Sequence, residues 1–153
     1  MDLVPSFLEA YIERCDKETE TVLAEERADF LDQPIEYFKQ HKNEFIYVQS
    51  DLFEAIGVDA VSFEADDVFG NYDVMLGLML QKKYQPMIKE YLHNNLNGDG
   101  AKFDLIFDAD EGIWNLNFPL NYLKDFREEM TTKEAYSAVF QFLSKLVEIV
   151  KPK

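Results

Sequence analysis

"VDAVSFEADDVFGNYDVMLGLMLQ" (58–81) is the stretch whose reading decides the fold. Two apolar runs flank Gly70-Asn71, a dipeptide that tolerates positive φ and so closes a hairpin. The second run, from Tyr72, also suits a helix, because Met and Leu favour one and apolar residues fill both faces. The turn between the runs weighs toward two strands. If they pair, Asp66, Asp67 and Asp73 gather near the turn, with Phe69 and Tyr72 beside them.

Working outward, "KFDLIFDADEGIWNLNF" (102–118) alternates apolar and polar residues. Phe103, Leu105 and Phe107 share one face of a strand, Trp114, Leu116 and Phe118 share one face of the next, and "DADEG" turns between them. "FIYVQ" (45–49) reads as a further strand. Ser50 caps a short helix, "DLFEAI", that Gly57 stops. Helical spacing returns from about Tyr84, at Met87, Ile88, Tyr91, Leu92 and Leu96, with Pro86 suited to the first turn. "TTKEAYSAVFQFLSKLVEIV" (131–150) is the clearest helix; Thr131 or Thr132 caps it, and Ala135, Val139, Phe142, Leu143, Leu146 and Val150 form its buried stripe.

Residues 5–30 also read as helix. Phe7, Leu8, Tyr11, Ile12 and Cys15 lie on one stripe that Val22 and Leu23 continue, and Glu9, Glu13, Asp16, Glu18, Glu20, Glu25 and Glu26 occupy much of the rest. Pro34 starts another helix through "IEYFKQHK". The expected fold is α+β: an antiparallel meander of about four strands, covered on one face by N-terminal, central and C-terminal helices.

Length suits one domain, 1–153, and an apolar content of 47% with 14% aromatic residues excludes disorder. Thirty acids against fifteen bases give a net charge of −15 and a pI near 4.4. Direct binding to nucleic acid or to an anionic membrane is disfavoured, since both depend on Lys and Arg. Basic proteins, cationic ligands and metal ions remain as partners. The opening "MDLVPSFLEAY" shows no signal peptide, and "VMLGLML" is far too short to span a bilayer. The lone Cys15 fits a reducing compartment, so the expected location is the cytoplasm.

Tested against motifs, the acids call for no cofactor. Asp108, Asp110 and Glu111 superficially resemble a calcium loop, but an EF-hand beginning at Asp108 would need a ligand where Gly112 stands, Gly where Ile113 stands and Glu where Pro119 stands. An acidic hairpin turn is the ordinary reading. The chain has no phosphate loop, no G-x-G-x-x-G and no G-x-S-x-G. His41 and His93 have no partner at zinc spacing, and Cys15 on an apolar stripe reads as a small core residue. A general acid–base pair needs burial to separate its pKa values, which sequence does not reveal.

Between Lys42 and Lys82 run 39 residues without Lys or Arg, and eight of them are acidic. Ordinary surfaces mix both signs. A one-signed patch with aromatic anchors suits a basic partner: the charges speed encounter and the rings supply buried contact. Glu64, Asp66, Asp67, Phe69, Tyr72 and Asp73 are the candidate contacts, with Asp108, Asp110, Glu111 and Trp114 next. The same acids also suit a merely solvated face, and the same rings suit the core of a sheet.

"YLHNNLNGDGAKFDLIFDADEGIWNLNFPLNYL" (91–123) resembles, in its layout of helix, strand, turn and aromatic strand, a segment of the YezG-like immunity proteins of bacterial toxin systems. The family's usual tryptophan before the first strand is replaced here by Ala101-Lys102. The resemblance implies a small acidic cytoplasmic protein that binds and silences a nuclease toxin. The expected function is therefore a stoichiometric, non-enzymatic inhibitor of a basic protein. The alternatives are a phage-encoded DNA mimic acting on a host defence protein, a small carboxylate-dependent enzyme, and an adaptor module.

Overall fold

The hairpin anticipated at Gly70-Asn71 is present in the computed structural model, which describes residues 10–66, 70–96 and 103–151. Strand β4 (Val61–Ala65) pairs with β5 (Tyr72–Leu78), so the run after Tyr72 is strand and not helix. Gly70 takes the positive φ of 69° that its turn requires. The Asp66 N–H donates to the Asn71 carbonyl across the loop at 2.7 Å.

Three further strands follow the sequence pattern. β3 (Glu44–Gln49) lies beside β4, and β6 (Asp104–Asp108) pairs with β7 (Ile113–Pro119), whose other edge pairs with β5. At the β6–β7 turn the Asp108 carboxylate accepts from the N–H groups of Asp110 and Glu111, and Gly112 has φ +70°. The acids of this turn thus hold backbone in place.

The chain departs from expectation at its start. Of the helix expected over 5–30, residues 5–9 lie outside the described residues, and the remainder forms β1 (Tyr11–Asp16) and β2 (Val22–Glu26), followed by a 3-10 turn. Asp16 drives the change. Its carboxylate accepts from the N–H groups of Glu18 and Thr19, both at 2.9 Å, and Glu20 adopts φ +60°, so the chain reverses into a hairpin. Ile12 and Cys15 are both buried, as a helical stripe would have them, but they belong to opposite sheet faces: Ile12 registers with Val48, and Cys15 with Phe45. The helix expected after Pro34 contracts to one turn, α1 (Tyr37–Gln40), because Pro34 bridges to Thr131 instead.

The sheet therefore has seven antiparallel strands, in the order β2-β1-β3-β4-β5-β7-β6, rather than about four. The class remains α+β. Helices α2 (Asp51–Ala55), α3 (Gln85–Asn95) and α4 (Thr132–Val150) carry the expected caps: Ser50 accepts from the Leu52 N–H, Pro86 sits in the first turn of α3, and Thr131 with Glu134 forms a capping box.

Helix α4 covers one sheet face. Its Tyr136 ring stacks on Phe63 at 4.1 Å between centroids and donates its hydroxyl to the Val61 carbonyl at 3.0 Å. Phe142 packs on Phe118, and the Tyr91 hydroxyl of α3 donates to the Phe142 carbonyl. Beneath them runs the row Ile46–Phe63–Val74–Phe118, one side chain per strand and all buried. Each such side chain contributes roughly 1.5–3 kcal/mol by leaving water. Among the described residues no helix is long and apolar enough to cross a membrane.

Candidate functional site

Strand alternation that buries one row must present the next on the opposite face. The next row crosses all seven strands: Glu25, Glu13, Tyr47, Ser62, Met75, Asn117 and Asp104 stand in direct register. All seven are partly or fully exposed. A parallel row holds Cys15, Phe45, Glu64 and Asp73. None of the residues in these two rows is Lys or Arg.

The first of these rows is exposed while Cys15 of the second is buried, and two features of the face are energetically unfavourable. Glu64 stands directly opposite Asp73, and Glu13 directly opposite Glu25. Like charges facing across a ladder destabilise a sheet. Lys17 answers the first pair: its Nζ lies 3.7 Å from the Glu64 carboxylate and donates to the Ala65 carbonyl at 2.6 Å. Even so, burial, aided by the charges of Asp66, Glu64 and Asp104, pushes the Asp73 carboxyl up to about 6 against the relief from Lys17. Asp104 was not apparent as a member of this cluster, because its place depends on β6 docking through β7 onto β5.

The residues expected to meet a partner divide accordingly. Glu64, Asp66 and Asp73 come together at one end of the sheet. Asp67 and Phe69 lie outside the described residues. Asp108, Asp110 and Glu111 sit at the opposite end, beyond the Leu78–Trp114 pair, so the two acidic stretches do not form one patch. Neither aromatic anchor is on the surface. Tyr72 is fully buried, its ring in contact with Phe126 and with the Lys39 ammonium, and its backbone N–H donates to Asn121. Trp114 is buried against Phe107, within reach of the Gln81 carbonyl. The rings on the open rows are Tyr47 and Phe45 instead.

On the same face, toward the end where β3 stops and β4 begins, lies an open notch of about 530 Å³, lined by Tyr47, Gln49, Asp59, Met75, Gly77, Asn115 and Asn117 among others. A β-bulge shapes it. Ser62 pairs with Met75 and Val58 with Leu78, so four residue steps on one strand face three on the other. The extra residue breaks the ladder, and the Asp59 carboxylate replaces the lost acceptor, taking the Gly77 N–H at 2.7 Å. A Cβ at Gly77 would lie 2.6 Å from that carboxylate, so a larger residue there would push the Asp59 side chain aside.

Cys15 is buried and its thiol is pushed up, by burial and then by the Glu13 charge, which leaves it a poor nucleophile. Among the described residues no group of three or more His, Cys, Asp or Glu side chains stands together as a metal site would require. Arg14 does not touch the open acids; it bridges Glu26 at 2.9 Å and the buried Glu44 at 3.2 Å. Comparison with protein-family models, with curated proteins and with solved structures found no match to this chain.

Proposed function

We propose that the protein is an acidic, stoichiometric inhibitor that binds a basic protein, such as a nuclease toxin, through the uncovered face of its sheet. The observation that carries this reading is the opposed pair Glu64–Asp73, joined by Asp104, on a face whose registered rows hold no Lys or Arg. Such a face is unfavourable in isolation and becomes favourable when a partner's cations neutralise it. The net charge of −15 extends the attraction beyond the contact itself. The YezG-like layout over 91–123 supports the immunity form of the reading. Mechanistically, the carboxylates stand where substrate phosphates would stand in a cationic cleft, and Tyr47 with Phe45 supplies apolar contact.

Affinity capture from the source organism tests this, with the wild type and a Glu64→Gln, Asp73→Asn, Asp104→Asn variant as parallel baits. The expected result is a basic protein retained by the wild type and lost by the variant, whose activity falls to zero at one equivalent of the wild type. Equal retention by both baits, or activity unaffected by excess wild type, overturns the proposal.

Carboxylate-dependent catalysis is a second reading, favoured by one observation: burial and a second carboxylate beside it push the Asp73 carboxyl up to about 6. An activity of the isolated protein that depends on Asp73 and on added divalent metal would select it.

A further inference from the structure

The notch at the Asp59 bulge carries features that a bare acidic face does not need. Glycine and asparagine are poor strand formers, yet Gly77 faces Asn115 in register and Asn117 follows two residues on, on two neighbouring strands of which neither is an edge of the sheet. Glycine within a strand marks a place where another group approaches closely. A bulge beside it re-aims a side chain, here Asp59. Local rules broken together at one spot point to a site.

The chemistry around the spot is selective. Asp59 uses one carboxylate oxygen on the Gly77 N–H, and an ionised carboxylate has capacity for further donors. Asn115, Asn117 and Gln49 bring side-chain carbonyls, and Tyr47 brings a ring face. An anion would meet the Asp59 charge. A divalent metal would want several hard carboxylate ligands, and Asp59 is the only one among the lining residues. A guanidinium fits: it is planar, carries five donors and no acceptor, and stacks on aromatic rings.

We infer that the notch takes the guanidinium of an arginine presented by the basic partner. Asp59 pairs with it, the asparagine carbonyls accept its remaining N–H groups, and Tyr47 stacks on its plane. Gly77, with no Cβ, leaves the space that the Asp59 carboxylate fills. This assignment rests on the proposed partner-binding role and adds to it a defined anchor, separate from the Glu64–Asp73 charges that steer encounter.

The test is an NMR titration of the ¹⁵N-labelled protein with N-acetyl-arginine-N-methylamide, with the correspondingly blocked lysine, and with free arginine. Saturable shifts should centre on Gly77, Asn115 and Asn117, with blocked arginine binding roughly two- to fivefold more tightly than blocked lysine. Asp59→Asn keeps an oxygen for the Gly77 N–H while removing the charge, and should weaken blocked arginine by about threefold or more. Asn115→Ala, at an exposed position, should weaken it as well. Equal binding of lysine, shifts centred on Glu64 and Asp73, or binding of free arginine alone overturns the assignment. Partner capture separates this inference from the functional reading. A basic partner lost on Glu64→Gln with Asp73→Asn, yet retained by both Asp59→Asn and Asn115→Ala, overturns the arginine anchor and leaves the inhibitor standing. A saturable arginine titration without any basic partner leaves the guanidinium site standing and removes the inhibitor.

Discussion

Replacing Asp73 with asparagine should make the protein more stable and less able to bind. Folding moves this carboxyl from an ordinary 3.8 to about 6, through burial first and the Asp66 and Glu64 charges second. That corresponds to roughly 3 kcal/mol between its two protonation states, which solvent screening at a half-buried site reduces to about 1–2 kcal/mol. Because the folded protein holds this proton more tightly than the unfolded chain does, the carboxyl costs nothing below about pH 3.8, where it is neutral in both states; the cost grows as pH rises and is complete above about pH 6. Asparagine is neutral throughout and never incurs that cost. Urea unfolding of both proteins across this range should show equal stability near the acid end. At about pH 8 the variant should gain about 1–2 kcal/mol, or about 3–6 °C in Tm for a chain of this size. The difference between the proteins isolates Asp73 from the other acids, which titrate in both. A variant no more stable at pH 8, or equally stabilised at both ends, would refute the reasoning. Stability gained with affinity lost is the signature of a site held in an unfavourable state for function.

Other perturbations separate core from site. The Tyr72 hydroxyl is buried without a hydrogen-bond partner among the described residues, so Tyr72→Phe should be neutral or up to about 1 kcal/mol stabilising; Tyr136→Phe strips a donor from the Val61 carbonyl and should cost about 1–2 kcal/mol in the same unfolding assay. Gly77→Ala sets its Cβ against the Asp59 carboxylate and should cost about 1 kcal/mol, less when Asp59→Ala is already present; additive costs would contradict the contact. The buried Cys15 thiol should react with a thiol reagent only slowly in the folded protein and rapidly in denaturant, and fast labelling under native conditions would contradict its burial.

Elements with a signal of their own were legible in the sequence. Helix α4 announces itself through its capping box and apolar stripe, α2 through Ser50, and β6 with β7 through strict alternation around an acidic turn. The alternation of Trp114, Leu116 and Phe118 also foretold one common face, and that face is the buried one. β1 and β2 were hidden for a physical reason. Ile12 and Cys15 stand three residues apart and are both buried, one on each face of the sheet, which imitates a helix. β2 is an edge strand in which Val22 and Leu23 are both exposed, so its apolar pair extended the apparent helical stripe and showed no strand alternation. The candidate site was legible as charge but not as geometry. Glu64 opposite Asp73 follows from the Gly70 turn, whereas Asp104 and the notch at Asp59 depend on pairings between distant strands. Tyr72 could not be assigned to surface or core before the register was known.

Association kinetics decide whether the acidic sheet face meets a basic partner. The rate constant for the captured partner is to be measured from about 50 to 500 mM salt, spanning strong to weak electrostatic reach. For the wild type the account predicts a rate that falls steeply with salt; for Glu64→Gln, Asp73→Asn, Asp104→Asn it predicts a slower rate with a flattened dependence. Superimposable curves for the two proteins would contradict it and reduce the acidic face to a solvated surface.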